Sequence, residues 1–177
     1  MKLKSTLFML LGLTTLWANA VTANPPQTVE SVDVSRYSGK WYEIAKIPNR
    51  FQSHCVRNTS AEYTLMADNT IQVINRCEVQ SGEMDQATGV ARIVDSTTNA
   101  KLEVSFVNFL GLQLFWGDYW ILYLDDDYQS VLVGTPDRKY GWVLARTKTL
   151  NPNQWQAIEQ SMQSQGYERD RFEISQQ

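Results

Sequence analysis

The sequence predicts an all-β fold, an eight-stranded antiparallel up-and-down barrel with a C-terminal α-helix. Three observations predict it. Short β-rich segments follow one another at even spacing between residues 39 and 147, polar turns separate them, and one helical pattern remains near the C-terminus. Roughly 155 residues remain after a predicted leader, which suits one domain with a sizeable core. We therefore expect a single domain over residues 24–177.

The N-terminus has the features of a secretory leader. Lys2 and Lys4 precede an apolar run over residues 7–16, and small-residue cleavage motifs end at Ala20 and Ala23. The run is too short to cross a bilayer as a helix. We expect a cleaved signal peptide of residues 1–20, or 1–23, and an exported protein. No cysteine follows either motif, so we expect no lipid anchor on an N-terminal cysteine.

Eight strands are predicted between the leader and the helix. Their composition is rich in β-branched and aromatic residues, and turn signals at Gly82, Asn99 and residues 125–127 separate them. The predicted strands are 39–47, 57–65, 70–79, 86–94, 101–106, 118–124, 129–134 and 140–147. Strands that succeed one another without intervening helices favour an up-and-down barrel over alternating strands and helices.

The segment after the last strand predicts the helix. Asn151 is a good N-cap, and Pro152 fits the first helical turn. Apolar residues recur at helical spacing at Trp155, Ile158 and Met162, and Gly166 marks the end.

Cys55 and Cys77 are the chain's two cysteines, and such a pair in an exported protein predicts a disulfide. Folding the hairpin of segments 57–65 and 70–76 brings the two to one end. The bond would add about 3 kcal/mol of stability in the chain-entropy model. The alternative is a catalytic thiol, which needs a base. His54, the sole histidine, is adjacent in sequence and on a strand would point to the opposite face.

Motifs on the first and last strands carry a family resemblance. They are Gly39-Lys40-Trp41-Tyr42 and Trp142-Val143-Leu144-Ala145-Arg146, with supporting segments 37–51, 61–65, 101–106 and 118–124 between or around them. The chain resembles the lipocalin family over essentially its whole mature length, in the branch of bacterial Blc, apolipoprotein D and plant temperature-induced lipocalins. The resemblance implies an end closed by Gly39, Trp41 and Arg146, with guanidinium stacked on indole, and an apolar ligand inside the barrel.

The alternation of side chains along each strand predicts which residues line the barrel. Arg146 must reach the closed end, so the face of its strand that carries Trp142 should point inward. The same argument for the other strands, together with the resemblance, predicts the ligand-binding residues Tyr63, Val73, Asn75, Val104, Phe106, Trp120, Leu122, Tyr140 and Trp142. The alternative is that these side chains simply fill a small barrel.

The connection between the fifth and sixth predicted strands is unusually apolar. Its large side chains are Phe109, Leu110, Leu112, Leu114, Phe115 and Trp116. In the barrel topology this loop lies at the open end, where such a patch indicates contact with a membrane or a gate for the ligand. The alternative is a strand extension packed on its neighbours.

The resemblance implies binding and transport or storage of fatty acids or lysophospholipids, in the periplasm of a Gram-negative bacterium. Nucleic acid is not expected as a partner, because the net charge is −3 and no basic run is present. No Ser/His/Asp or paired-carboxylate pattern predicts an enzyme, and no metal or cofactor is expected. Alternatives are a haem carrier using His54 and a module that binds or inhibits proteins through its open-end loops. The family contains homodimers, but no residue argues for or against one.

Overall fold

The computed structural model describes residues 24–177, so the predicted signal peptide lies outside the described residues. Two short elements precede the second strand: helix α1 (Val34–Tyr37) and a 3₁₀ turn (Arg50–Gln52). The strands are β1 (Gly39–Lys46), β2 (Cys55–Leu65), β3 (Ile71–Val79), β4 (Met84–Ile93), β5 (Lys101–Ser105), β6 (Val107–Phe109), β7 (Leu112–Leu114), β8 (Gly117–Leu124), β9 (Ser130–Gly134), β10 (Gly141–Ala145) and β11 (Glu173–Ile174). Helix α2 (Pro152–Ser164) and a 3₁₀ turn (Arg169–Arg171) separate β10 from β11.

The described strands form a closed barrel. Its order is β1-β2-β3-β4-β5-β8-β9-β10, every neighbouring pair is antiparallel, and β10 pairs back with β1. Strands β6 and β7 form a separate hairpin between β5 and β8. Barrel closure leaves few free strand edges. The predicted eight-stranded barrel is therefore confirmed, and the small hairpin is an addition to it.

The seam between β1 and β2 is closed by two different partners. The first half of β1 pairs with β2, with Gly39 opposite Tyr63 and Tyr42 opposite Ser60. Beyond that point β2 diverges, and β11 pairs with β1 instead, with Ala45 opposite Ile174. The backbone N–H of Asn58, on β2, then donates to the carbonyl of Gln176 at 2.8 Å. The C-terminal tail thus completes the barrel wall.

Two hydrophobic clusters lie on opposite faces of the sheet. The inner cluster fills the closed half of the barrel, and the outer cluster lies between the barrel and α2. Inner members are Trp41, Ala61, Tyr63, Ile71, Val73, Ala91, Leu102, Ile121, Val131, Val133 and Leu144. Outer members are Ile44, Ala45, Leu122, Leu132, Val143, Ala145, Ile158, Met162, Tyr167 and Phe172.

Helix α2 begins as the sequence predicts. The Asn151 side chain accepts from the backbone N–H of Gln154, whose side chain accepts from the N–H of Asn151, and Pro152 occupies the first turn. Ile158 and Met162 are buried against the barrel. The predicted C-terminal helix is confirmed. Within residues 24–177 no helix is both long and apolar enough to cross a membrane.

The predicted disulfide is also confirmed. Cys55 and Cys77 are bonded, their Cα atoms are 5.5 Å apart, and they are separated by 22 positions in sequence. They join the open-end termini of β2 and β3, where the register between those strands is irregular. Closing a loop of this size contributes about 3 kcal/mol. The bond therefore links the two strands where their pairing is irregular.

Candidate functional site

The floor of the barrel is sealed by Trp41 and Arg146. The indole of Trp41 is fully buried, and the Arg146 guanidinium carbon lies 3.9 Å from the centre of its ring, a cation–π geometry. The guanidinium also donates to backbone carbonyls of Arg36, Tyr37, Ser38, Lys40 and Tyr128. Arg146 therefore ties α1, the start of β1 and the turn before β9 together beneath the indole.

Gly39 gives the chain room to enter this floor. Its φ of +95° lies in a region that favours glycine, and a Cβ there would stand 3.4 Å from Nη1 of Arg146. A side chain would therefore strain the turn into β1 and press on the guanidinium. Gly39, Trp41 and Arg146 meet at one end of the barrel, which is the closed end.

The barrel interior (the cup) is lined above the floor by most of the residues predicted to line it. Tyr63 and Val73 are buried in the inner cluster, and Val104 and Trp142 pack against it. Asn75 follows Val73 on the same face of β3 and lies opposite Ala61. The structure brings these side chains of β2, β3, β5 and β10 together around one space.

Phe106 and Tyr140 lie at the rim. A Cβ on Gly89 would be 2.7 Å from Cδ1 of Phe106, so the bare glycine makes room for that ring. The Tyr140 ring stacks on Trp142 with centroids 6.1 Å apart, and Phe51 lies 5.5 Å from Tyr140 on the other side. The mouth of the cup therefore has an aromatic edge.

The prediction that Trp120 and Leu122 line the cup is wrong. Leu122 is buried in the outer cluster and Trp120 packs against it, while Tyr119 and Ile121 of the same strand face inward. The register of β8 with β9 shifts between Ile121 and Tyr123, which marks a β-bulge. Because α2 covers the outer face, β8 is apolar on both faces, and hydrophobicity alone does not distinguish them.

Several side chains that face the interior above the floor are less completely buried than the floor itself. Asn75, Val104, Tyr119 and Trp142 face the interior, yet each keeps solvent-accessible surface and is only half-buried. Side chains that filled a packed core would lose nearly all such surface. The barrel is therefore tightly packed at its floor and less tightly packed toward its mouth, where a small-molecule site is expected in such a fold.

A surface cleft outside the barrel is not part of this site. It has a volume of about 590 Å³ and is lined by α2 and the following turn, including Met162, Tyr167 and Arg169. Its lining residues belong to the outer layer of the fold. The cleft is broad and open, and it shares no residue with the cup.

A pair of charged residues on β1 was not predicted from the sequence. The register of β1 with β10 shifts between Glu43 and Ala45. As a result Glu43 lies opposite Leu144 and Lys46 lies opposite Trp142, and both positions face inward. Nζ of Lys46 is 3.1 Å from Oε1 of Glu43, which is almost completely buried. Strict alternation places residues three apart on opposite faces, so only the bulge makes this ion pair part of the wall.

Gln52 links this ion pair to the aromatic edge. Its amide nitrogen donates to Oε2 of Glu43 at 2.6 Å, and its amide oxygen accepts from the indole N–H of Trp142 at 2.9 Å. The buried carboxylate is thus hydrogen-bonded as well as paired, as a buried charge requires. Lys46, Gln52 and Trp142 place polar hydrogens near the mouth of an otherwise apolar cup.

Three tyrosines (the tyrosine triad) lie just above the floor. The Tyr119 hydroxyl is 2.7 Å from that of Tyr37 and 2.9 Å from that of Tyr63. Burial raises the pKa of Tyr63 to about 12 and the pKa values of Tyr37 and Tyr119 well above the usual value. All three are therefore neutral phenols at pH 7. Tyr37 and Tyr119 were not predicted, because the triad needs contacts between distant segments.

The β6–β7 hairpin presents apolar side chains to solvent at the open end. The most exposed (the hairpin tip) are Phe109, Leu110, Leu112 and Phe115, with Leu110 at 88% and Phe115 at 82%. Leu110 and Phe115 have φ values of +51° and +58°, which are uncommon for bulky residues. Leu114 and Trp116 are half-buried, and Trp116 stacks against Arg92. Four of the six predicted contact residues are thus freely accessible.

The disulfide removes the nucleophile that thiol-based catalysis would need. Cys55 and Cys77 are the only cysteines of the chain, and both are bonded. His54, Cys55 and Cys77 lie close enough together to be considered as metal ligands. Because both sulfurs are in the disulfide, they cannot bind a metal ion as thiolates. His54 lies at the open end, where its Nε2 is 2.9 Å from Oδ2 of Asp85.

Comparison with known proteins agrees with this geometry. The family model of the lipocalin-like domain matches residues 32–177. The chain is a lipocalin. Temperature-induced lipocalin-1 of Arabidopsis thaliana is 39% identical over 145 residues, which cover 80% of this chain and 77% of the plant protein. Outer membrane lipoprotein Blc of Escherichia coli (strain K12) is 34% identical over 152 residues, covering 84% and 82%.

Among solved structures, insecticyanin of Manduca sexta superposes with a TM-score of 0.70 at 21% identity, covering 86% of this lipocalin and 84% of insecticyanin. That likeness concerns the fold. The family and the branch predicted from the sequence motifs are confirmed. Lipocalins bind small hydrophobic molecules and are generally binding proteins rather than enzymes, which agrees with the apolar interior of the barrel.

Proposed function

We propose that this lipocalin binds long-chain fatty acids or lysophospholipids and carries or stores them in the cell envelope, taking them up at a membrane surface. The observation that carries the proposal is the cup itself, with apolar inward walls, a sealed floor and side chains toward the mouth that keep accessible surface. A long acyl chain fits such a space because its burial needs no polar partner along its length.

The energy of burying an acyl chain supports useful affinity. Each buried methylene contributes about 0.8 kcal/mol, so a long chain gains roughly 10 kcal/mol in total. Loss of translational freedom and ordering of the chain consume several kcal/mol of that gain. The remainder corresponds to micromolar binding. The ligand headgroup would then lie at the mouth, near Lys46, Gln52 and Trp142.

The envelope location rests on the relatives. The name of the similar Escherichia coli protein places it at the outer membrane as a lipoprotein. This chain has a predicted signal peptide. We therefore propose an exported, periplasmic protein of a Gram-negative bacterium that contacts membranes transiently.

The hairpin tip is the part of the molecule best suited to membrane contact. Its side chains are exposed, apolar and located at the mouth through which a ligand would pass. Burying each such side chain in the membrane interface can contribute about 1.5–3 kcal/mol. Leu110 and Phe115 have positive φ values, and their side chains are exposed to solvent rather than packed in the core.

Uptake of a fluorescent fatty acid from vesicles tests the proposal. Wild-type protein mixed with phosphatidylethanolamine–phosphatidylglycerol vesicles that contain cis-parinaric acid should remove the probe, and its fluorescence should rise on binding. Replacing Leu110, Leu112 and Phe115 with Ser should slow uptake by about tenfold or more. A loss of about 1.4 kcal/mol in the free energy of membrane binding corresponds to a tenfold change. The affinity for probe in solution should stay within about twofold.

A matched control uses exposed apolar residues at the closed end. Leu65, Met66 and Val94 are also exposed but lie far from the mouth along the strands. Replacing these three with Ser should leave the uptake rate unchanged. Equal slowing by both triple variants would exclude specific docking through the hairpin tip. No uptake by the wild-type protein would overturn the proposed function itself.

A further inference from the structure

The tyrosine triad has one more hydrogen than its hydrogen bonds use. Each phenol carries one hydroxyl hydrogen, and the three oxygens make two mutual bonds, Tyr37 to Tyr119 and Tyr119 to Tyr63. Two bonds consume two hydrogens. Among residues 24–177 no other group accepts from these hydroxyls, so the third hydrogen has no protein acceptor.

The position of this hydrogen is deep in the barrel. Tyr37 and Tyr63 are 5% and 7% exposed, and the Tyr37 ring lies 5.0 Å from the ring of Trp41 on the floor. The hydroxyls of Tyr37 and Tyr63 are therefore shielded from bulk water. A buried hydroxyl hydrogen without an acceptor is unfavourable, so a ligand oxygen that accepts it would be favoured.

The triad is accessible from the cup through Tyr119. Tyr119 lies opposite Leu102, an inner residue, and keeps accessible surface although it faces inward. Tyr63 lies opposite Val73 on the same inner face. The walls around the triad are otherwise apolar, so a ligand that fills the cup would meet these hydroxyls as the first polar groups above the floor.

From this geometry we infer that the tyrosine triad is a polar subsite at the bottom of the cup, which binds an oxygen atom at the buried end of an acyl ligand. The oxygen accepts the unused phenolic hydrogen, and a ligand hydroxyl can in turn donate to another phenol oxygen of the triad. Two ligand groups have this chemistry: a hydroxyl at the far end of the chain, and the carboxyl group if it enters first. The inference rests on the proposed lipid-binding function and adds an orientation and a ligand class to it.

A comparison of hexadecanoate with ω-hydroxyhexadecanoate tests the subsite. The two ligands differ only in the terminal hydroxyl, so the ratio of their dissociation constants reports on the environment of the chain end. Wild-type protein should bind the hydroxy acid at least as tightly as hexadecanoate, by calorimetric titration. An entirely apolar floor would instead disfavour the hydroxyl by about tenfold or more, since nothing would replace its water.

The matching variant carries Tyr37→Phe, Tyr63→Phe and Tyr119→Phe together. Replacing Tyr37 or Tyr63 alone is not enough, because the two hydroxyls that remain still form a pair with one unused hydrogen. Removing all partners at once leaves the rings in place and no phenol unsatisfied, which is often nearly neutral for stability. Tyr123→Phe, at a tyrosine of the outer cluster, is the control and should leave the ratio unchanged.

The triple variant separates the two orientations. If the chain end reaches the floor, the hydroxy acid should lose about tenfold in affinity while hexadecanoate does not. If the carboxyl group enters first, hexadecanoate should lose about as much as the hydroxy acid. Unchanged affinities for both ligands would overturn the subsite while leaving the proposed function intact. Failure of the wild-type protein to bind either ligand would overturn both.

Tyr119→Phe serves if the triple variant does not fold, as judged by circular dichroism. It removes the central hydroxyl, so both hydroxyls that it joined lose their shared partner. If the chain end reaches the floor, the preference for the hydroxy acid over hexadecanoate should then rise; if the carboxyl group enters first, both ligands should bind more tightly. Unchanged affinities for both ligands would contradict the subsite.

Discussion

Replacement of Trp41 with Ala is expected to lower the free energy of unfolding by about 3–5 kcal/mol, the usual cost of removing a large buried aromatic side chain. Trp41 is fully buried at the floor, and its indole N–H donates to the carbonyl of Tyr37 at 2.8 Å. Its loss would also remove the ring on which the Arg146 guanidinium stacks. Urea denaturation followed by circular dichroism measures the change.

Phe115→Ala is the matched control for this prediction. It removes a large aromatic ring from a side chain that is 82% exposed, so the free energy of unfolding should change by about 0.5 kcal/mol or less. A Trp41→Ala variant as stable as Phe115→Ala would contradict the role of Trp41 as the plug of the barrel floor.

Stability is expected to fall steeply between about pH 10 and about pH 12. Tyrosines of the unfolded chain lose their protons near pH 10, whereas burial raises the pKa of Tyr63 in the folded protein to about 12. In that interval the unfolded state binds fewer protons than the folded state, so the free energy of unfolding decreases as pH rises. Tyr63 alone accounts for about 3 kcal/mol, and Tyr37 and Tyr119 extend the loss to higher pH.

Urea denaturation at a series of alkaline pH values measures this dependence. The variant with phenylalanine at positions 37, 63 and 119 should lose much less stability over the same interval, because its barrel floor has no phenol to ionise. Equal pH profiles for this variant and the wild-type protein would show that the triad is not the group responsible.

Local sequence signals were sufficient for most of the fold. The Asn151-Pro152 start of α2 depends on capping within four residues, and each predicted strand depends on its own composition and flanking turns. The Cys55–Cys77 bond followed from the hairpin that joins β2 to β3. These features are decided over short stretches of chain, so a single sequence contains the information that specifies them.

The inner and outer faces of the strands were harder to predict, because bulges interrupt the alternation on which such predictions depend. On β8 a bulge follows Ile121, and α2 makes both faces apolar, so Trp120 and Leu122 were placed on the wrong face. On β1 a bulge places Glu43 and Lys46 on one face. Nothing in the local composition marks either bulge.

The β6–β7 hairpin illustrates a different limit. Its apolar character was predicted from the sequence, but the segment was expected to be a loop at the open end or a strand extension. Its turn contains Leu110 in a left-handed conformation that leucine rarely adopts, so no turn signal predicted a hairpin there. The following Gly111 also has a positive φ, and together they make a tight turn suited to a two-residue hairpin loop. The unusual backbone conformation of Leu110 could not be predicted from the sequence and is known only from the backbone angles of the structure.

The central claim is that the cup holds an acyl chain, and adding a large side chain inside the cup tests it most directly. Val104 faces the interior and is half-buried, whereas its neighbour Glu103 lies on the outer face, where it pairs with Arg92. Val104→Trp would occupy part of the cup, and Glu103→Trp adds the same ring outside it. Losing the half-exposed ion pair of Glu103 should cost at most about 1 kcal/mol of stability.

Calorimetric titration of hexadecanoate into the three folded proteins is the decisive measurement. The account predicts saturable one-to-one binding in the micromolar range for the wild-type protein and for Glu103→Trp. It predicts a loss of at least about tenfold in affinity for Val104→Trp, because the added ring takes the space of several methylene groups. Absence of binding in the wild-type protein, or equal affinity in Val104→Trp and Glu103→Trp, would contradict it.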